Sequence, residues 1–202
     1  MPSDRVDVDK RATLRQFAAL GAVSPLARFI DSRSDSDSDA RGAIAGYLAA
    51  TPGAHFSKIR DDLSLGTGET QHHLRRLVDA GALESVRDGD YRRFYPAGQF
   101  SGFEQVALGY LRRSTPRGMV LELLRTPEAS GADLAAALDV SPSTVSKYAS
   151  EMAAAGLISR EDGYALVRPE TLLVLLVRYA DSFDEETAAF AAEAAAFIRI
   201  DT

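Results

Sequence analysis

Four side chains in the stretch GETQHHLRRLVDAGAL, residues 68–83, are able to work on a polyanion. Gln71, His72, Arg75 and Arg76 fall on one side of a predicted helix, while Thr70, Leu74, Leu77 and Val78 form its inward stripe. A carboxamide pairs bidentately with an adenine edge, and a guanidinium with guanine or with phosphate. Gly68 would let the start of such a helix come close to a sugar–phosphate backbone, and a helix N-terminus itself favours phosphate. Downstream, Arg87, Arg92 and Arg93 flank a predicted hairpin turn, from which they could reach neighbouring phosphates or a minor groove. The whole chain has 202 residues and a net charge of −6, so this cluster of donors is a local feature. Residues 42–98 hold seven Lys/Arg against seven Asp/Glu, and residues 169–202 hold two against seven. Most of the negative balance therefore sits in the tail.

Other chemistries find little support. There is no cysteine, which removes disulfides, thiolate zinc sites and cysteine nucleophiles. The only histidines are His55, His72 and His73, too few and too clustered for a metal set. No Ser-His-Asp order, glycine-rich phosphate loop or paired-carboxylate site emerges, so the expectation is a non-enzyme without cofactor or metal. No apolar run is long enough to span a membrane, the best being LLVLLV at 172–177. Three lysines against twenty arginines, with abundant Asp, suggest a GC-rich genome and a salt-adapted surface.

The elements that must position the donors come from a repeat. Sliding the chain by 75 residues lays Thr51-Pro52 over Thr126-Pro127, Ile59 over Leu134, Leu63 over Leu138, Leu77 over Met152 and Ala80-Gly81 over Ala155-Gly156. Each copy reads as three helices and a hairpin. In the second copy, Met119, Leu123 and Leu124 share a face of a helix expected to start after Pro116 and to stop at Thr126-Pro127. Leu134, Ala137 and Leu138 give a short second helix. Ser141 with Pro142 caps a third, whose inward stripe is Val145, Ala149 and Met152 and whose stop is Gly156. Asp162-Gly163 and, in the first copy, Asp88-Gly89 are hairpin signals. In the second copy the outward set is Ser143, Thr144, Ser146, Lys147 and Ser150. Its hairpin carries Arg160 and Arg168 but also Glu161 and Asp162, a weaker surface for an anion.

The stretches GETQHHLRRLVDAGAL and SPSTVSKYASEMAAAGLI resemble the recognition helices of archaeal winged-helix regulators related to the MarR and ArsR groups. Thr70 and Val145 fall on the first core site of that pattern, Leu74 and Ala149 on the second, Leu77 and Met152 on the third, and Gly81 and Gly156 on its glycine. Ala149 is a departure, since the pattern has Leu there. The resemblance spans residues 41–168 and implies a mainly α fold with small β-hairpin wings, in two tandem winged helix-turn-helix domains with additional N- and C-terminal helices. It also implies a cytoplasmic homodimer that binds double-stranded DNA at palindromic promoter sites. The DNA-contacting residues would be Gly68, Gln71, His72, Arg75, Arg76, Arg87, Arg92 and Arg93, joined by Ser143, Thr144, Ser146 and Lys147 of the second copy. A rival reading keeps the fold and makes the chain a protein-interaction adaptor or chromosome-organisation protein, which the acidic tail favours.

The resulting division is an N-terminal helix and acidic Ser/Asp linker over 1–40, a first winged helix over 41–98 and a connecting helix over 99–115. A second winged helix follows over 116–168, with terminal helices over 169–202. Residues 12–30 read as a retained helix that packs on a partner subunit; a twin-arginine-like export signal is the alternative. In the tail, Phe183, Phe190 and Phe197 lie seven apart and Leu172 and Leu176 belong to an all-round apolar helix. This seam is expected to form the dimer, presenting two recognition helices about 34 Å apart. Its competitor is that the seam covers the second winged helix within one chain. A space between the winged and terminal helices would suit a small-molecule effector, though no residue specifies one.

Overall fold

The computed structural model describes residues 35–198, with side chains described from 39 to 194. The expected helix over 12–30 and the side chain of Phe197 lie outside these limits. The chain forms two units, divided between Ser101 and Gly102.

The first unit contains α1 (Asp35–Ala50), β1 (Ala54–His55), α2 (Phe56–Asp62), α3 (Thr67–Asp79), β2 (Leu83–Asp88) and β3 (Tyr91–Pro96). The strands pair antiparallel in the order β1-β3-β2, with Ala54 opposite Phe94 and Arg87 opposite Arg92. Ile44, Leu48, Ile59, Leu63, Leu74, Leu77 and Leu83 close the core. Two boundaries differ from expectation. The Ser/Asp run read as a linker is helical from Asp35. Asp88 is the last residue of β2 and pairs with Tyr91, so the two-residue turn is Gly89-Asp90. Gly89 has φ 59°, a conformation that the first position of such a turn demands and glycine supplies without strain.

The second unit contains α4 (Gly102–Leu111), α5 (Ser114–Arg125), α6 (Gly131–Ala137), α7 (Pro142–Ala154), β4 (Ile158–Ser159), β5 (Ala165–Leu166), α8 (Pro169–Arg178), a 3₁₀ turn (Ala180–Ser182) and α9 (Glu185–Ile198). The helix expected after Pro116 begins at Ser114, two residues before that proline, because Pro116 is tolerated within a first turn whose N–H groups have no partner in the helix. Ser141 caps α7 as expected, its hydroxyl accepting from the Thr144 N–H at 3.2 Å, with Pro142 in the first position.

Across the second and third helices of each copy the 75-residue repeat holds to the residue. α2 and α3 begin and end one repeat from α6 and α7. Ser64 and Asp139, one repeat apart, are both left-handed at φ 53° and 51°, and Gly81 and Gly156 at 70° and 73°. The turn bonds recur too: the Ala82 N–H donates to Leu77 and the Leu157 N–H to Met152, both at 2.9 Å.

The tail packs within its own unit. α8 packs on α4, α5 and α9, and Leu172 and Leu176 are fully buried within the unit. Phe190 is buried as well, with the Arg125 guanidinium 5.4 Å from its ring centre. Phe183 is half-buried under Arg112, whose guanidinium lies 4.3 Å from the ring centre. Asp184 receives Arg117 and caps α9 by accepting from the Thr187 N–H and hydroxyl at 3.0 and 2.6 Å. Of the side chains expected to hold a second copy, Leu172, Leu176 and Phe190 are buried within their own unit and Phe183 is half-buried there. An apolar helix beside a winged helix finds its cover locally, and the seven-residue spacing does not distinguish that cover from a partner.

Candidate nucleic-acid interface

The inward stripe of α3 is where the sequence puts it: Thr70, Leu74 and Leu77 are buried and Val78 is half-buried. The Thr70 hydroxyl donates to the Gly66 carbonyl at 2.9 Å, and the Glu69 carboxylate accepts from the Gly66 N–H at 3.2 Å. These bonds fix the first turn without using an outward donor. Gly68, Gln71, His72, Arg75 and Arg76 are all exposed. No atom lies within 4 Å of where a Cβ on Gly68 would stand, so the helix start is open to a large ligand. Arg75 is 83% exposed and contacts Asp79 at 3.7 Å, a surface pair that costs little to open. His73, by contrast, is buried against the edge of His72, with ring centres 5.3 Å apart.

The wing divides the three arginines that the sequence treats alike. Side chains alternate across a strand, so adjacent Arg92 and Arg93 cannot share a face. Arg92 is exposed. It donates to the Ser85 hydroxyl at 2.8 Å and its guanidinium lies 5.6 Å from the centre of the Phe94 ring. Arg87 is exposed opposite it and donates to the Gly89 carbonyl at 3.3 Å. Arg93 is only 3% exposed. It ion-pairs with Asp88 and donates to the Gly53 carbonyl at 2.9 Å. Its expected role on phosphate is corrected: it ties the wing to the turn before β1.

The exposed donors converge. Gln71 and Arg75 of α3 and Arg92 of β3 line one open groove of about 620 Å³, together with Thr67, Asp79 and the apolar Phe56, Leu74, Val78 and Phe94. The sequence reading missed Thr67, Phe56 and Phe94, whose membership follows only once strand register is known. It also missed Tyr91, half-exposed at the wing tip and packed on His55 with ring centres 4.9 Å apart.

In the second unit the corresponding donors are partly engaged. Ser143 and Thr144 share hydroxyl bonds with Ser141 at 2.8 and 2.9 Å. Ser146 and Lys147 are exposed, with the Lys147 ammonium 5.6 Å from the centre of the neighbouring Tyr148 ring. Arg160 donates to Ser150 at 2.7 Å, and Arg168 lies over Phe103. The wing there is two residues per strand.

Comparison with protein families decides the class. A family described as an N-terminal HTH domain matches residues 38–108, and one described as winged helix-turn-helix DNA-binding matches residues 113–159. The chain carries two helix-turn-helix domains in tandem, the second of the winged DNA-binding kind. Both matches fall on helix-helix-wing units of the same register, and DNA binding is the activity such domains bring. No curated protein and no solved structure matches the chain. Among the described residues, no helix is long and apolar enough to cross a membrane.

Proposed function

We propose that the first winged helix reads duplex DNA in a sequence-specific manner, with α3 in the major groove and the β2–β3 wing against the backbone. The observation that carries this is the convergence of Gln71, Arg75 and Arg92 on one open groove between helix and wing. A phosphodiester strand crossing from major to minor groove passes between a recognition helix and its wing, so Arg75 and Arg92 hold it from two sides. Gln71 and His72 face base edges, Arg76 lies beside them, and Arg87 extends the contact along the wing. No step in this function requires catalysis.

The second winged helix plays an auxiliary part. With Ser143 and Thr144 engaged in their own cap, and Arg160 and Arg168 turned onto Ser150 and Phe103, Ser146 and Lys147 remain as its contacts. The same engagement supports a second reading, in which this unit binds a protein while the first binds DNA.

An electrophoretic shift of the gene's own upstream fragment against a scrambled fragment tests the proposal. Wild-type protein is expected to retard the upstream fragment preferentially. Arg75→Ala and Arg92→Ala are each expected to raise the half-binding concentration about tenfold, the loss typical of a charged contact to DNA. Undiminished binding by both variants would refute the contact assignment.

A further inference from the structure

The cover that α8 finds on α4, α5 and α9 takes only one side of it. Leu172, Leu175, Leu176 and Tyr179 are buried there. The other side carries Glu170, Val174 and Arg178, which are exposed, and Thr171, Leu173 and Val177, which are half-buried. Val174 is 59% exposed and, with Tyr91, one of the two large apolar side chains open to solvent among the described residues. A surface helix ordinarily carries polar side chains along such a line. Here charge stands only at the two ends, a carboxylate in the first turn and a guanidinium in the last. Glu170, Val174 and Arg178 follow one another at intervals of four, so they lie in one row along the helix with the valine at its midpoint. Turning a second α8 end over end about Val174 lays Glu170 of one copy against Arg178 of the other, twice, with valine on valine between them. Parallel placement would instead set Glu170 on Glu170 and Arg178 on Arg178, and repel. The row is therefore complementary to itself in one direction and one register, which is what a two-fold contact between identical chains requires.

We propose that the outer face of α8 docks on the α8 of a second copy of this chain, antiparallel about Val174. Leu173, Val174 and Val177 form the apolar strip, and a Glu170–Arg178 pair closes it at each end. The inward face stays with its own unit, so the contact uses the neighbours of Leu172 and Leu176 and not those residues themselves. The pairing stands on α8 alone and is independent of the DNA-binding reading above.

Sedimentation velocity of the full chain at about 0.1 M salt, where exposed charges still act over roughly 10 Å, tests this. Wild type is expected to pass from monomer to dimer with a dissociation constant on the order of 10–100 µM, the weak end of interfaces, because a ten-residue helix offers a contact only about 15 Å long. Val174→Glu sets a carboxylate against its own copy at the axis and is expected to weaken association about tenfold or more. Glu170→Arg and Arg178→Glu each turn two attractive pairs into repulsive ones, and each is expected to weaken self-association about tenfold. Mixed in equal amounts, these two variants are expected to form a heterodimer about as tight as wild type, since every reversed charge then meets its opposite across the axis. Damage to the helix itself would not be repaired by mixing. Circular dichroism checks folding, and should Val174→Glu fail to fold, the two exposed charge changes carry the test. A wild type that stays monomeric up to about 1 mM, self-association that the folded variants leave intact, or charge-reversed variants that remain apart on mixing would each overturn the proposal.

Discussion

At the residue scale, the contrast between Arg92 and Arg93 governs the interface. The two are neighbours of the same type, yet one is exposed on the groove and the other is buried in a clamp between Asp88 and the Gly53 carbonyl. Removing one partner of a buried ion pair strands the other charge, so Arg93→Met is expected to lower stability by about 3–5 kcal/mol. Urea unfolding followed by circular dichroism checks this, and Arg75→Ala in the same experiment is expected to change stability little. An unchanged midpoint in Arg93→Met would mean that the clamp is not formed. The sequence conveyed which residues could donate. It did not convey which were free to, because assigning Arg92 and Arg93 to opposite faces needs the register of β3, and the donor-rich run gives no apolar alternation to fix it.

Among the elements, α2 is held at its start by a titratable cap. The Lys58 N–H donates to the His55 Nδ1 at 3.3 Å, which requires that nitrogen to be unprotonated. Burial, and then the charges of Arg93 and Lys58, hold the His55 pKa below 6.5, with Asp61 and Asp62 pulling the other way. A group whose folded pKa is depressed stabilises fully above its unfolded value, and that contribution is lost as pH falls through the folded value. The urea midpoint of the protein is therefore expected to fall between about pH 7 and pH 5. His55→Asn, a cap that does not titrate, is expected to remove this component of the fall. Should the variant lose stability with pH as steeply as wild type, the cap is not the cause. Helix positions were legible from sequence because local signals agree: Ser141-Pro142 at a start, Gly81 and Gly156 at stops, and apolar stripes between. The extent of the second wing was not, since Asp162-Gly163 marks a turn without saying how far the strands run.

For the molecule as a whole, the repeat was readable to the residue across its second and third helices, while the use of the tail was not. Leu172, Leu176, Phe183 and Phe190 form an apolar seam in either reading, and only their burial against α4, α5 and the arginines above them separates internal cover from a subunit contact. Leu176→Ala is accordingly expected to destabilise the second unit by about 2–5 kcal/mol, the cost of a large-to-small change in a core. That loss is expected to be the same at low and high protein concentration, as calorimetric melting would reveal. A melting temperature that rises with concentration in wild type but not in the variant would return the seam to a subunit interface.

The central claim is that Arg75 and Arg92, facing one groove, hold a single phosphate strand. The salt dependence of binding to upstream DNA, measured by fluorescence anisotropy for wild type and for Arg75→Ala/Arg92→Ala, tests it most directly. Each phosphate contact adds roughly 0.9 to the slope of log affinity against log salt. The double variant is therefore expected to bind more weakly and to lose about two from the slope. A slope and affinity unchanged from wild type would contradict the account.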